Sequence, residues 1–117
     1  MKVVVPHCGA YLPLAVPRMK SLTPVMQANK MVGEIDWNAN LAALYYDLAG
    51  AHSPEIISMM LTITTPDHLL YGSDYPYVAP QVLTKSLAMM KQYLSDEPDL
   101  APFREMILFQ NAHQLFK

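Results

Sequence analysis

The sequence predicts an α/β protein with about three parallel strands and flanking helices, from three observations. A run of valines, Val3 to Val5, leads into Pro6-His7-Cys8-Gly9. Two further apolar runs, Leu44 to Leu48 and His68 to Gly72, also end in turn residues, and helical patterns separate the three. Short continuous apolar runs suit strands buried on both faces, as parallel strands are. Alternation of strand and helix then implies right-handed crossovers between parallel neighbours.

The elements follow in order. Lys2 to Val5 is the first strand, closing in a turn at Pro6-His7-Cys8-Gly9. From Leu12 to about Asn29, Leu14, Met19, Leu22, Val25 and Met26 recur near helical spacing, and Pro13, Pro17 and Pro24 divide the stretch into two short helical pieces. Gly33 to Asn40 reads as loop. Leu44-Tyr45-Tyr46-Asp47-Leu48 is the second strand, ending at Ala49-Gly50. Ser53-Pro54-Glu55 opens a helix: Ser53 caps free N–H groups, Pro54 is preset for the first helical position, and Glu55 suits the helix dipole. That helix carries Ile56, Ile57, Met60 and Leu61 on one face and breaks at Pro66-Asp67. His68 to Gly72 is the third strand, delivering Ser73, Asp74 and Tyr75 to its carboxyl end. Leu83, Leu87, Met90 and Leu94 form one stripe of an amphipathic helix, and two short helices follow the Ser95 to Pro98 turn.

Composition narrows the class. The 117 residues point to a single domain, residues 1–117, and are too few for a closed eightfold barrel of about 250 residues. Residues of the hydrophobic set make up 52% and charged residues 15%, so disorder is excluded and part of the apolar surface is expected to meet another chain. The net charge is −2 with no Lys/Arg cluster, which argues against nucleic acid as a partner. A lone Cys8 excludes an internal disulfide, and the N-terminal residues lack signal-peptide regions, so a cytoplasmic setting is expected. No apolar run approaches the roughly 20 residues of a membrane span.

In parallel α/β folds the working groups sit just beyond the carboxyl ends of strands. Three positions qualify: His7 after the first strand, Asp47 or Gly50 at the second, and Asp74 after the third. His7 suits a base or metal ligand, since one imidazole nitrogen offers a lone pair while the other orients the ring. Asp74, in Gly72-Ser73-Asp74-Tyr75-Pro76, suits ligation of a divalent cation or orientation of a water; its plainer role is a turn or cap bond. His52 follows a strand-end turn, His68 begins a strand away from the productive edge, and His113 lies in the last helical segment as a surface or packing residue. Cys8 beside His7 invites a nucleophile pair, but neighbours on an extended strand point to opposite sides. The nine methionines read as core filler.

These motifs resemble the C-terminal part of the amidohydrolase-related family, the branch that includes aminocarboxymuconate-semialdehyde decarboxylase and related aromatic-acid decarboxylases. The residues that carry the resemblance are Val3-Val4-Val5-Pro6-His7-Cys8-Gly9, Leu12-Pro13 and Arg18, and Tyr45-Tyr46-Asp47-Leu48-Ala49-Gly50. Leu70-Tyr71-Gly72-Ser73-Asp74-Tyr75-Pro76 and Asn111-Ala112 with Leu115-Phe116 complete it. The resemblance implies a partial (β/α)₈ TIM barrel whose three strands are the sixth, seventh and eighth. It further implies one divalent metal, most often zinc, with Asp74 as a metal ligand and His7 helping to activate the metal-bound water. Arg18 is similar to an arginine that contacts substrate carboxylate across a subunit interface. The implied chemistry is hydrolysis or non-oxidative decarboxylation of a small carboxylic acid, by a hydroxide that attacks a carbonyl or adds to an unsaturated acid.

The sequence also departs from the family pattern. It holds no His-x-His, and Cys8 stands where a glycine commonly follows the strand-six histidine. The family's His-x-His and strand-five histidine would lie upstream of Met1. The expectation is therefore a fragment that binds metal weakly and is inactive alone. The alternative is a catalytically silent module that folds by pairing as a homo-oligomer, or with another chain, to cover its open sheet edges.

Overall fold

The computed structural model describes residues 1–51 and 53–117; His52, read above as part of a strand-end turn, lies outside the described residues. Strand β1 (Val4–Val5) leads into a one-turn segment, α1 (Pro6–Gly9), followed by helices α2 (Leu12–Ala28) and α3 (Trp37–Ala42). Strand β2 (Tyr45–Asp47), helix α4 (Pro54–Met60), strand β3 (Leu69–Leu70) and helix α5 (Pro80–Asp96) come next, and α6 (Asn111–Leu115) closes the chain. The three strands are parallel in the order β1-β2-β3, with Val5 opposite Tyr46 and Asp47 opposite Leu70. The expected α/β fold of three parallel strands is therefore present.

The period of two along β2 decides which face each residue serves. Tyr46 and Leu48 face the helices and are fully buried with Ile57, Met60, Leu69, Met90, Leu94 and Ile107; Asp47 between them points to the opposite face. The helix side of the sheet is thus a packed core to which α5 presents the predicted stripe, with Met90 and Leu94 buried and Leu83 and Leu87 half-buried. That one-sidedness shows in the molecule's size. Its radius of gyration is 15.8 Å, where a compact chain of this length has about 13 Å. Its accessible surface is 7534 Å², against about 6,400 Å² for a folded monomer of this mass.

Several elements differ from expectation. The stretch from Leu12 is one helix rather than two, although Pro17 and Pro24 lie inside it. Each proline removes one N–H, yet both rings sit at exposed positions, and the buried Val16 and Thr23, seven apart on one face, hold the turns around them. Thr23 Oγ1 donates to the Met19 carbonyl at 2.8 Å and accepts from Trp37 Nε1 at 2.9 Å, fixing the helix to α3. Helix α3 replaces part of the expected Gly33 to Asn40 loop, because the Asp36 carboxylate caps it by accepting from Ala39 N–H at 2.9 Å. Ser53 precedes α4 as predicted but bonds the Glu55 carboxylate instead of a free N–H, which lowers the Glu55 pKa. Helix α4 ends at Met60, well before Pro66, and His68 belongs to a 3₁₀ turn (Pro66–His68) rather than to β3.

The chain beyond Leu100 is nearly continuous helix: a 3₁₀ turn (Ala101–Phe103), a π-helical stretch (Met106–Gln110) and α6. It is stitched to β3 at both ends of the strand. Tyr71 N–H donates to the Ile107 carbonyl at 3.0 Å, and the buried Asn111 gives both Nδ2 hydrogens to the carbonyls of Pro66 and Leu69, each at 2.8 Å. Replacing Asn111 by leucine keeps the branched outline but removes both donors, leaving the buried Leu69 carbonyl without this bond and the Pro66 carbonyl with only the Leu69 N–H. Urea unfolding should show a loss of about 1–3 kcal/mol for Asn111→Leu, and an unchanged midpoint would mean that these bonds do not hold the terminal helix.

Candidate functional site

The carboxyl ends of the three strands bring His7, Asp47 and Asp74 together. His7 Nε2 lies 3.4 Å from Asp74 Oδ1, with the two side chains 60% and 26% exposed. That separation is slightly longer than a hydrogen bond, so the pair faces each other with room to close. Neither residue has ordinary backbone geometry. His7, Cys8 and Ala10 have φ near 53°, 54° and 51°, Gly9 has 68°, and Asp74 has 58°. Left-handed geometry costs roughly 1–2 kcal/mol for each residue bearing a Cβ, and such strain persists only where the surroundings over-determine it.

For the turn after β1, the surroundings are the Asp47 carboxylate. Its Oδ1 accepts from His7 N–H at 2.9 Å and from Ala49 N–H at 3.0 Å, so one oxygen ties the exits of β1 and β2. The exit of β3 closes on the same point: a Cβ at Gly72 would lie 3.2 Å from Asp47 Cβ, Ala49 Cβ and Ala49 N. Glycine is needed there for close approach, and it lets the chain carry Ser73 and Asp74 past the end of β2. At Asp74 the backbone carbonyl accepts from the N–H groups of Tyr77 and Val78, at 2.9 and 3.2 Å. A cis Tyr75-Pro76 bond follows.

Cys8 does not pair with His7. The expected reason was alternation along an extended strand, but the two residues lie in a left-handed turn. What separates them is burial: Cys8 is 8% exposed and its thiol donates to the Ala49 carbonyl at 3.5 Å. Desolvation, helped by the nearby Asp47 charge, pushes that thiol up to about 11, so the nucleophilic thiolate is scarce near neutral pH.

The other candidates lie apart. Arg18 sits exposed on α2 with no side-chain hydrogen bond or ion pair among the described residues, and no contact links it to His7 or Asp74. His68 stacks on Tyr45 with ring centroids 4.6 Å apart and stands 3.3 Å from the Asp67 carboxylate, at the amino end of β3. A bond from Thr65, more than the neighbouring His68, lowers the Asp67 pKa. His113 is exposed on α6. Beside His7 opens a cleft of about 310 Å³ walled by Tyr11, Leu14, Ile56, Met59 and Met60, a lining that residue order along the chain does not reveal.

The donor set falls short of the metal that the resemblance implies. Among the described residues no three His, Cys, Asp or Glu side chains are grouped to hold an ion. His7 and Asp74 supply two donors and Asp47 Oδ1 is occupied by two N–H bonds, whereas zinc takes about three protein ligands in a catalytic site. The residues present therefore do not make a metal centre by themselves.

Comparison with known proteins agrees with this incomplete geometry. The sequence profile of the amidohydrolase family matches residues 1–117. The chain is 26% identical over 119 residues to a 6-methylsalicylic acid decarboxylase of Aspergillus aculeatus, covering 98% of this chain and 35% of that protein. It is 22% identical over 92 residues to the 6-methylsalicylic acid decarboxylase of Penicillium expansum, covering 79% and 28%. Among solved structures, an amidohydrolase II superposes with a TM-score of 0.69 at 30% identity, over 98% of this chain and 35% of that one. The 5-carboxyvanillate decarboxylase of Sphingomonas paucimobilis superposes with a TM-score of 0.75 at 16% identity, over 98% and 33%, which shows the fold. The chain thus spans about a third of the length of the relatives it matches. With the profile covering every residue and the fold matching a third of a TIM barrel, the chain belongs to the amidohydrolase family.

Proposed function

We propose that this chain serves as the C-terminal third of a decarboxylase-type amidohydrolase barrel, supplying His7 and Asp74 to a centre completed by barrel units outside this sequence. The observation that carries the reading is the approach of His7 Nε2 to Asp74 Oδ1 at the carboxyl ends of β1 and β3. Asp74 is assigned as a ligand to a divalent metal, zinc in the first instance, whose remaining ligands this chain does not hold. No step is assigned to a metal held by this chain alone, and alone it is expected to be inactive.

What these residues can do is hold and deliver a proton. The exposed His7 Nε2 is open to solvent for proton exchange and faces the Asp74 carboxylate. Loss of carbon dioxide from a carboxylic acid leaves a carbon that must be protonated, and hydrolysis leaves a departing group that must be protonated. Both reactions ask for a donor at this place, so the pair serves either. The substrate class is a small carboxylic acid, and Arg18, exposed on α2, is assigned to the substrate carboxylate across a subunit interface.

A second reading, a silent module that self-associates, draws on the excess surface and on the exposure of Tyr11, Leu14, Leu22 and Val25 along α2 and the turn before it. Light scattering on the eluting protein tests this second reading: it expects a homo-oligomer, and a monomer at high concentration counts against it.

Three outcomes test the assignment. Mixed with the upstream two thirds of the Aspergillus aculeatus relative, the chain should gain turnover of 6-methylsalicylic acid that is absent from either part. His7→Ala should lower that rate roughly 10²-fold or more, and Asp74→Ala should return it to background. Stoichiometric zinc and turnover in the isolated chain, abolished by Asp74→Ala, would sink the proposal of a silent fragment.

The buried thiol gives a further check. The raised Cys8 pKa favours the protonated thiol in the folded chain, so its stabilising contribution is present below the ordinary value of 9.0 and is lost as pH rises toward about 11. Labelling by a thiol reagent should be slow at pH 8 in the native protein and fast once unfolded, with stability declining between pH 9 and 11. Fast native labelling at pH 8 would show that Cys8 is accessible and reactive.

A further inference from the structure

Resting on the reading of His7 and Asp74 as the working pair, the geometry points to Asp47 as the positioning residue of the site. Its carboxylate holds the left-handed turn that aims the His7 imidazole at Asp74. Asp47 does not face the reacting groups itself. It acts on His7 through the main chain, by accepting the His7 N–H at 2.9 Å across 40 positions of sequence.

Unaided, the turn would not keep this shape. Four successive residues, His7 to Ala10, have positive φ, and three of them carry a Cβ. L-residues leave that region for the right-handed or extended one unless something holds them. Hydrogen bonds that hold this turn run from Ala10 N–H to the His7 carbonyl at 2.8 Å, from the Cys8 thiol to the Ala49 carbonyl at 3.5 Å, and from His7 N–H to Asp47. The first is internal to the turn and a thiol is a weak donor, so the charge-assisted bond to Asp47 is the strong tie to the sheet. The ladder of β1 ends at Val5 opposite Tyr46, which leaves that bond to fix the chain two residues further on. Returning His7 to negative φ would swing its Cα–Cβ bond and take the ring from Asp74.

Asp47 is itself well placed to bear load. It is the last residue of β2, opposite Leu70, and Oδ1 also accepts from Ala49 N–H at 3.0 Å, which fixes the carboxylate before it meets His7. Gly72 packs against its Cβ from the β3 side. A carboxylate held from two sides orients His7; a mobile one would not.

The test is amide hydrogen exchange and nuclear Overhauser contacts on the full 117-residue chain, comparing the parent with D47N, D47A and the control Ile57→Val, which lowers stability from the core. Asparagine keeps an oxygen to accept the two N–H bonds but loses the charge. Exchange at the His7 and Ala49 amides should quicken about fivefold in D47N and by more in D47A. The Leu48 amide, which donates to the Leu70 carbonyl, should respond no more than it does in Ile57→Val. The contact between the His7 ring and the Asp74 β-protons should survive in D47N and vanish in D47A. Adding Cys8→Gly to D47A, which relieves one left-handed residue, should restore part of it.

Uniform quickening of all amides, or a His7–Asp74 contact unchanged in D47A, overturns the proposal. If D47A does not fold, the D47N pattern decides: local quickening at His7 and Ala49 supports positioning, and a uniform one refutes it. The measurement reads geometry without turnover, so a complemented barrel that stays inactive removes the functional reading and leaves the positioning role standing.

Discussion

One carboxylate oxygen sets the ends of the sheet. Asp47 Oδ1 receives two main-chain N–H groups, one from its own strand's exit and one from the exit of β1. Without an acceptor there, the His7 N–H would lose its bond to the sheet, and a turn with three strained non-glycine residues would be less firmly held. Gly72 extends the constraint to β3, because a Cβ there would press on Asp47 and Ala49 at 3.2 Å and make a neighbour shift. The placement of Asp74 follows from that passage. Three strand ends therefore depend on a single side chain, and the approach of His7 to Asp74 is a consequence of its position.

The same strand explains why the molecule is unevenly packed. Tyr46 and Leu48 turn toward the helices and are fully buried, whereas Tyr45 and Asp47, on the other side, remain partly exposed. In a complete eightfold barrel the inward side is filled by layers of side chains drawn from alternate strands. Three strands supply only a share of such layers. The large radius of gyration and the two-donor site go together: the chain matches a third of a TIM barrel, and among the described residues the helix-facing half of the sheet is packed while the inward side is left partly exposed.

The strands were legible because their signals are local. Val3 to Val5, Tyr45 to Leu48 and Leu69-Leu70 are apolar enough to read as buried strands, and the α5 stripe follows from spacing alone. The placements of His7 and Asp74 followed from strand ends in the same way. Features that depend on partners distant in sequence were not legible. Nothing near Pro17 or Pro24 announces that Val16 and Thr23 hold α2 together through Trp37. Nothing near His7 announces a left-handed turn, since Cys8 is a poor residue for it and the compensating group lies 40 positions away. Asp47 was visible as a strand-end residue, yet its function as an acceptor required knowing that β1 lies beside β2. The Asp36 cap is a local signal, an aspartate just before Trp37, but no apolar stripe follows it to mark a helix.

The two aspartates at the strand ends divide the work. Asp47 commits its carboxylate to the backbone, and its charge is met by N–H dipoles rather than by a cation. Asp74 does the reverse: its main-chain carbonyl makes the structural bonds, to Tyr77 and Val78, while its carboxylate faces His7. A left-handed conformation at Asp74 keeps those two duties compatible, because it directs the carbonyl into the following turn and leaves the side chain at the strand end. If one carboxylate had to serve both purposes, any proton or ion taken up at the site would loosen the turn that presents it. Keeping the anchoring carboxylate on β2 and the working carboxylate after β3 leaves the second to face His7 while the first holds the geometry. The strained backbone at His7 and Asp74 is the cost of that separation.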